Sequence, residues 1–142
     1  MTSRTGGVLY SPALLSLAVE LANYPFDPDA ALTAEARSRS CGSVIEMSAD
    51  ARFTRLGLKV RACAVGQAAA AIFARHAAGL TVDEIADAQR SLVAWLEGEG
   101  ARPDWPDIDM LDDARAYPGR HAAIQLPWRA ALAMLSNPTP AR

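Results

Sequence analysis

Residues 58–81, "LKVRACAVGQAAAAIFARHAAGLT", decide the fold. Up to Cys63 the segment alternates apolar and polar residues at the period of a strand. Beyond it, Val65, Ala69, Ile72 and His76 recur at helical spacing along one stripe. Gly79 stands where a helix C-terminal cap belongs. The stretch therefore predicts a strand running into an alanine-rich helix, with a cysteine at the seam. A thiol at a helix N-terminus feels the positive end of the helix dipole, which favours its thiolate and raises its reactivity.

Upstream, Ser11-Pro12 reads as an N-cap with proline at the first helical position, and Leu14, Leu17, Ala18 and Leu21 predict a helix over 11–23. "NYPFDPDAAL" carries two prolines and two aspartates and predicts a loop leading to a sheet. Residues 34–61 read as β-like: "SVIEMSA" and "RFTRLGLKVRA" alternate, with "SADA" as the turn between them. Downstream, Thr81 and Glu84 form a capping box. Ile85, Ala88, Leu92, Val93 and Leu96 give the next helix its apolar face, and Gly98 ends it. "GEGARPDWPD" is a Gly/Pro-rich connection. A short helix near 109–115 and a last helix over 118–135 follow, with Pro127 bending the latter or delaying its start because it lacks a backbone donor. The tail 136–142 is expected to fray. The pattern predicts an α+β fold: a small antiparallel sheet of about three strands, with four to five helices packed on one face and around its end.

At 142 residues, 51% of them apolar, the chain is long enough for one domain with a substantial core, covering 1–142. The net charge is −2, Lys59 is the only lysine, and the arginines are scattered along the sequence. That argues against a nucleic-acid partner, which requires a dense basic face. No apolar run approaches the roughly 20 residues of a membrane span, and "MTSRTGGVLYSPALL" lacks the apolar core and cleavage site of a signal peptide. The expected location is the cytoplasm, where two cysteines stay reduced.

If the two β segments form a hairpin, their outer ends lie side by side and bring Cys41 and Cys63 together. Gly42 leaves room for a metal or another backbone to approach Cys41. The alternative is that both cysteines are small buried apolar side chains. The chain has no CxxC, HExxH, phosphate loop or nucleophile elbow. Trp95, Trp105 and Trp128 read as packing anchors, and "DIDMLDD" as a solvated helix start.

Three segments, "SRSCGSVIEM", "VRACAVGQAAAAIFARHAAGLTVDEI" and "WPDIDMLDDARAYPGRHAAIQLPWRAAL", resemble the landmarks of the NifU/IscU/SufU-type iron–sulfur cluster assembly scaffold family. The first matches the family's Cys-Gly-Asp at a strand start, and the second its Gly-Cys before a small-residue helix. The third matches its aromatic-Pro-x-Arg-x-x-Cys-x-x-Leu-x-Trp signature, here Tyr117, Pro118, Arg120, Leu126 and Trp128. "VLYSPALLSLAVELANYPFDPD" is similar to the family's N-terminal helix, and the insert "PDWPDIDML" is closest to the SufU branch. The resemblance implies one SufE/NifU-like domain, which accepts sulfur from a cysteine desulfurase, transiently holds iron or a [2Fe-2S] cluster, and passes it to acceptor apo-proteins. It assigns Cys41 and Cys63 as thiolate ligands and persulfide-accepting candidates, and the helix-dipole argument makes Cys63 the more nucleophilic of the two.

The chain departs from the family in two of the four ligands: Ser43 stands at the aspartate position and Ala123 at the third cysteine position. Two thiolates alone hold iron, a cluster or zinc weakly. His121, two residues before the lost cysteine, is the nearest substitute ligand, and a homodimer pooling two thiolates from each chain is another route to four. His76, at the far end of its helix, reads as structural. Three functions stay open: a scaffold, a SufU-type sulfurtransferase using a persulfide, or a relative that keeps the fold as an interaction or regulatory protein. A carrier is favoured over an enzyme.

Overall fold

The computed structural model describes residues 11–136. Residues 1–10 of the stretch read against a signal peptide, and all of the tail expected to fray over 136–142 except Ser136, which ends the last helix, lie outside the described residues.

Helix α1 (Pro12–Val19) starts as its caps predict: Ser11 Oγ accepts from the Leu14 amide and Pro12 occupies the first helical position. The helix tightens into a 3₁₀ turn over Glu20–Asn23. Strands β1 (Leu32–Arg37), β2 (Val44–Ala49) and β3 (Gly57–Arg61) form an antiparallel sheet in the order β1-β2-β3. Arg37, Val44 and Arg61 stand in line at one end of it. Beside β3, the loop after α1 adds a hydrogen bond from the Leu58 amide to the Tyr24 carbonyl at 2.8 Å.

The connection between β2 and β3 differs from the expected four-residue turn. The strand period of "SADA" carries β2 to Ala49, and β3 begins only at Gly57. Between them Phe53 takes a left-handed conformation (φ 58°) and is buried. An aromatic ring driven into the core outweighs the local preference of "RFTRL" to extend.

Helix α2 (Ala64–His76) is the central element, almost entirely buried between α1 and the last helix. Its alanines, Ala68 to Ala71, let neighbouring helices approach closely. Helix α3 (Val82–Leu96) opens with the Thr81–Glu84 capping box and packs on α4 (His121–Ser136), which also crosses β1 and β2. Between α3 and α4, the predicted short helix is a 3₁₀ stretch, Ile108–Ala116, followed by another over Pro118–Arg120. Pro127 neither ends nor delays α4. Its ring is buried, and the Ala123 carbonyl simply loses its helical donor.

The core centres on aromatic rings. Phe73 stacks on Trp105 with centroids 5.3 Å apart and meets Trp128 edge-on at 5.4 Å. Trp105 Nε1 donates to the Ile72 carbonyl at 3.1 Å, which explains an ordered "GEGARPDWPD" connection. Among the described residues no helix is long and apolar enough to cross a membrane.

Candidate thiol site

The loop between β1 and β2 folds back on itself. The Ser38 amide donates to the Ser43 carbonyl at 2.9 Å and the Gly42 amide to the Ser38 carbonyl at 3.0 Å. Gly42 sits at φ +72°, which a side chain rarely tolerates. This tight turn lifts Cys41 to the surface while Ser38 and Ser43 point inward, each only 4% exposed. Their hydroxyls bracket the thiol: Cys41 Sγ lies 3.1 Å from Ser38 Oγ and 3.1 Å from Ser43 Oγ. The Ser38 hydroxyl first, then that of Ser43, holds the Cys41 thiol below its ordinary pKa. The Arg120 guanidinium adds to the effect, and partial burial opposes it.

Cys63 is the N-cap of α2, with extended backbone (φ −65°, ψ 170°). Its carbonyl accepts from the Gln67 amide at 2.9 Å, while its half-buried thiol makes no capping hydrogen bond. The β2–β3 register aligns Val44 with Arg61, so Cys41 and Cys63 lie just beyond the paired residues at the same end of the sheet. The hairpin expected from the sequence thus brings both cysteines to one end.

The third landmark arrives there as well. Gly66 lies one helical turn beyond Cys63 and touches α4 so closely that a Cβ on it would stand 3.1 Å from Ala123 Cβ. Ala123 is buried at that contact. The position matching the family's third cysteine therefore faces the first turn of α2, but carries a methyl group.

His121 is engaged elsewhere: its Nε2 lies 2.7 Å from the Arg115 carbonyl, an acceptor, so this nitrogen donates and only Nδ1 is left to ligate. His76 is far from the thiols by sequence along α2 and pairs with Asp107 at 2.8 Å. Among the described residues no three His, Cys, Asp or Glu side chains gather as a metal cage. The donors of one chain at this end are two thiols and two serine hydroxyls, which do not fit a four-coordinate zinc ion or an ordinary iron–sulfur cluster, where sulfur or nitrogen predominates.

Sequence reasoning passed over Ser38 and treated Ser43 only as a loss. The serines crowded around the cysteine in "SRSCGS" were the available signal. It also read Asp107 as part of a solvated run, whereas Asp107 joins Arg75 and His76 from a left-handed backbone position.

No protein-family model matches this sequence, and no curated protein matches it. Solved structures do. The chain is similar to a nitrogen-fixing NifU-like protein (N-terminal) from Brucella abortus, at 26% identity and TM-score 0.82, covering 93% of this chain and 95% of that one. It also shares its fold with a protein assigned as an iron–sulfur cluster assembly scaffold for the SUF system, from the thermophile Fervidobacterium islandicum AW-1. That match has 18% identity and TM-score 0.75, covering 91% of this chain and 98% of the other. The fold is NifU-like, and these structures bear out the resemblance to the NifU/IscU/SufU-type family carried by the three landmark segments.

Proposed function

We propose that this protein works in iron–sulfur cluster assembly as a scaffold-like sulfur acceptor, taking sulfur from a cysteine desulfurase at Cys41 with Cys63 beside it. The observation that carries the reading is the setting of Cys41: exposed, bracketed by two buried hydroxyls and under the charge of Arg120, on a NifU-like fold. The sequence expectation made Cys63 the better nucleophile. The hydrogen bonds around Cys41 support the reverse assignment.

The chemistry is thiol–persulfide exchange. The Cys41 thiolate attacks the outer sulfur of the desulfurase persulfide, a new S–S bond forms on Cys41, and the donor S–S bond breaks to release the desulfurase thiolate. The Ser38 and Ser43 hydroxyls donate to the attacking thiolate and hold it at the surface. Cys63, at the positive end of α2, is the second thiol to which that sulfur passes or beside which iron is met. Any iron or [2Fe-2S] cluster is cargo here, with its remaining ligands coming from a second copy of the chain, an external thiol or His121 Nδ1. The setting is the cytoplasm, the receivers are acceptor apo-proteins, and the insert over 103–111 supports the SufU branch.

A pure sulfurtransferase role is the second reading, and Ala123 favours it by removing a ligand without disturbing the thiols. Iron, zinc and acid-labile sulfide per chain, measured after anaerobic reconstitution of wild type, Cys41→Ser and Cys63→Ser, separate the two. Stoichiometric iron and sulfide lost in both variants supports the scaffold. A colourless chain that still acquires sulfane sulfur on Cys41 supports the transferase. A chain that acquires neither refutes the proposal.

A further inference from the structure

The charges of this chain are sorted in space although they look scattered in sequence. Segments 36–45, 51–82 and 114–136 contain no aspartate or glutamate. They supply the thiol loop, β3 with α2, and α4. Arg37 and Arg61 flank Val44 in register, on the sheet face opposite the buried row of Ala36 and Ile45. Arg39 is exposed two residues before Cys41, and Arg120 lies close enough to act on that thiol. Arg129 is exposed on α4 and ties itself to the same end by donating to the Arg37 carbonyl at 3.2 Å.

Elsewhere three arginines are held by carboxylates, Arg52 and Arg115 donate to the Gly79 and Trp95 carbonyls, and Arg55 lies in the turn at the opposite end of the sheet. Arg75 pairs with Glu20 and Asp107, Arg90 with Asp87, and Arg102 with Asp112. At the thiol end Arg37 meets Glu35, but among the described residues Arg39, Arg61, Arg120 and Arg129 have no carboxylate partner. Four uncompensated cations at one end of a chain with net charge −2 make a local positive field that net charge conceals.

We infer that this arginine collar is a docking surface for a carboxylate-rich patch on the protein that delivers sulfur, steering its donor thiol onto Cys41. The inference rests on the sulfur-acceptor reading above. Charge complementarity selects the occupant. The cations come from four separate segments around an exposed thiol, the layout of a rim about a reacting centre. Four cations on a chain of net charge −2 are few for a phosphate backbone, which draws on a dense basic face. No aromatic side chain among the described residues stands exposed there to stack on bases.

Two measurements on the full chain test this. The first is binding of fluorescein-labelled poly-L-glutamate, followed by anisotropy for wild type, Arg39→Glu, Arg61→Glu and the remote control Arg90→Glu. The collar predicts weakening of about tenfold in each of the first two, none in the control, and a steep loss as salt rises. Equal behaviour of all four proteins overturns it, as does tighter binding of a DNA duplex than of poly-L-glutamate at the same ionic strength.

The second is sulfur transfer from a cysteine desulfurase, where Arg39→Glu and Arg61→Glu should raise the KM for the chain several-fold and leave kcat unchanged. Iodoacetamide labelling of Cys41 confirms that the thiol itself is intact in each variant. Wild type that accepts sulfur with a KM insensitive to both reversals overturns the docking surface and leaves the sulfur reading standing. Wild type that accepts no sulfur, yet binds poly-L-glutamate through Arg39 and Arg61, refutes the sulfur reading and retains the acidic-partner surface.

Discussion

The two ends of α2 (Ala64–His76) use charge in opposite ways. At its C-terminal end Arg75 donates to Glu20 and Asp107, and His76 to Asp107, so both basic side chains of the last turn are paired and three segments are pinned together. At its N-terminal end Cys63 caps the helix without a side-chain bond, Cys41 is exposed nearby, and among the described residues Arg39, Arg61, Arg120 and Arg129 have no acidic partner. Paired charges hold the fold, and unpaired ones are left available to a visitor. The contrast teaches where to look for function in a molecule whose net charge is nearly zero.

The severest way to break the contrast is to remove what both ends stand on. Phe73→Ala empties the stack against Trp105 and Trp128, and denaturant unfolding should show a loss of about 3–5 kcal/mol. Next in size, Gly66→Val attacks the N-terminal end alone. Its Cβ would meet Ala62 Cβ at 2.8 Å and Ala123 Cβ at 3.1 Å, so α2 and α4 must separate, costing about 1–3 kcal/mol. Sulfur acceptance should fall with it, because the Cys63 turn moves.

At the C-terminal end the expected effect is smaller and depends on pH. His76 first, then Arg75, holds the Asp107 carboxyl below its usual pKa, so its contribution is present above the ordinary carboxylate range and is lost as pH falls through and below it. Asp107→Asn should flatten this part of the acid-unfolding profile, cost less than about 1 kcal/mol near neutrality because the network is partly exposed, and leave sulfur acceptance unchanged. The gentlest change sharpens the thiol end. Ser43→Ala removes one hydroxyl from Cys41, so the pH midpoint of its alkylation should rise and its rate near neutral pH drop a few-fold, with Cys63 labelling as the internal control.

Much of this was legible in the sequence wherever one segment carried its own instructions. The Thr81–Glu84 capping box, the proline after Ser11 and the change of period at Cys63 each specify local backbone, and the structure has all three. What stayed hidden depends on segments meeting. Phe53 breaks the strand pattern because the core claims its ring, and Asp107 leaves its acidic run because Arg75 and His76 wait on α2. The serine bracket around Cys41 comes from a tight loop closed through Gly42, and the arginine collar from segments far apart in the chain. For Ala123, the sequence showed the loss of a sulfur ligand, and the structure shows that its methyl faces Gly66 at the thiol end.

The central claim is that Cys41 is the sulfur-accepting thiol. Its most direct test is the mass of the intact chain after incubation with a cysteine desulfurase and free cysteine, for wild type, Cys41→Ser and Cys63→Ser, with the modified residue located by peptide mapping. The account predicts one added sulfur atom on Cys41 in Cys63→Ser, on Cys41 or passed on to Cys63 in wild type, and none in Cys41→Ser. Sulfur that settles on Cys63 with Cys41 replaced, or a chain that gains no sulfur in any form, would contradict it.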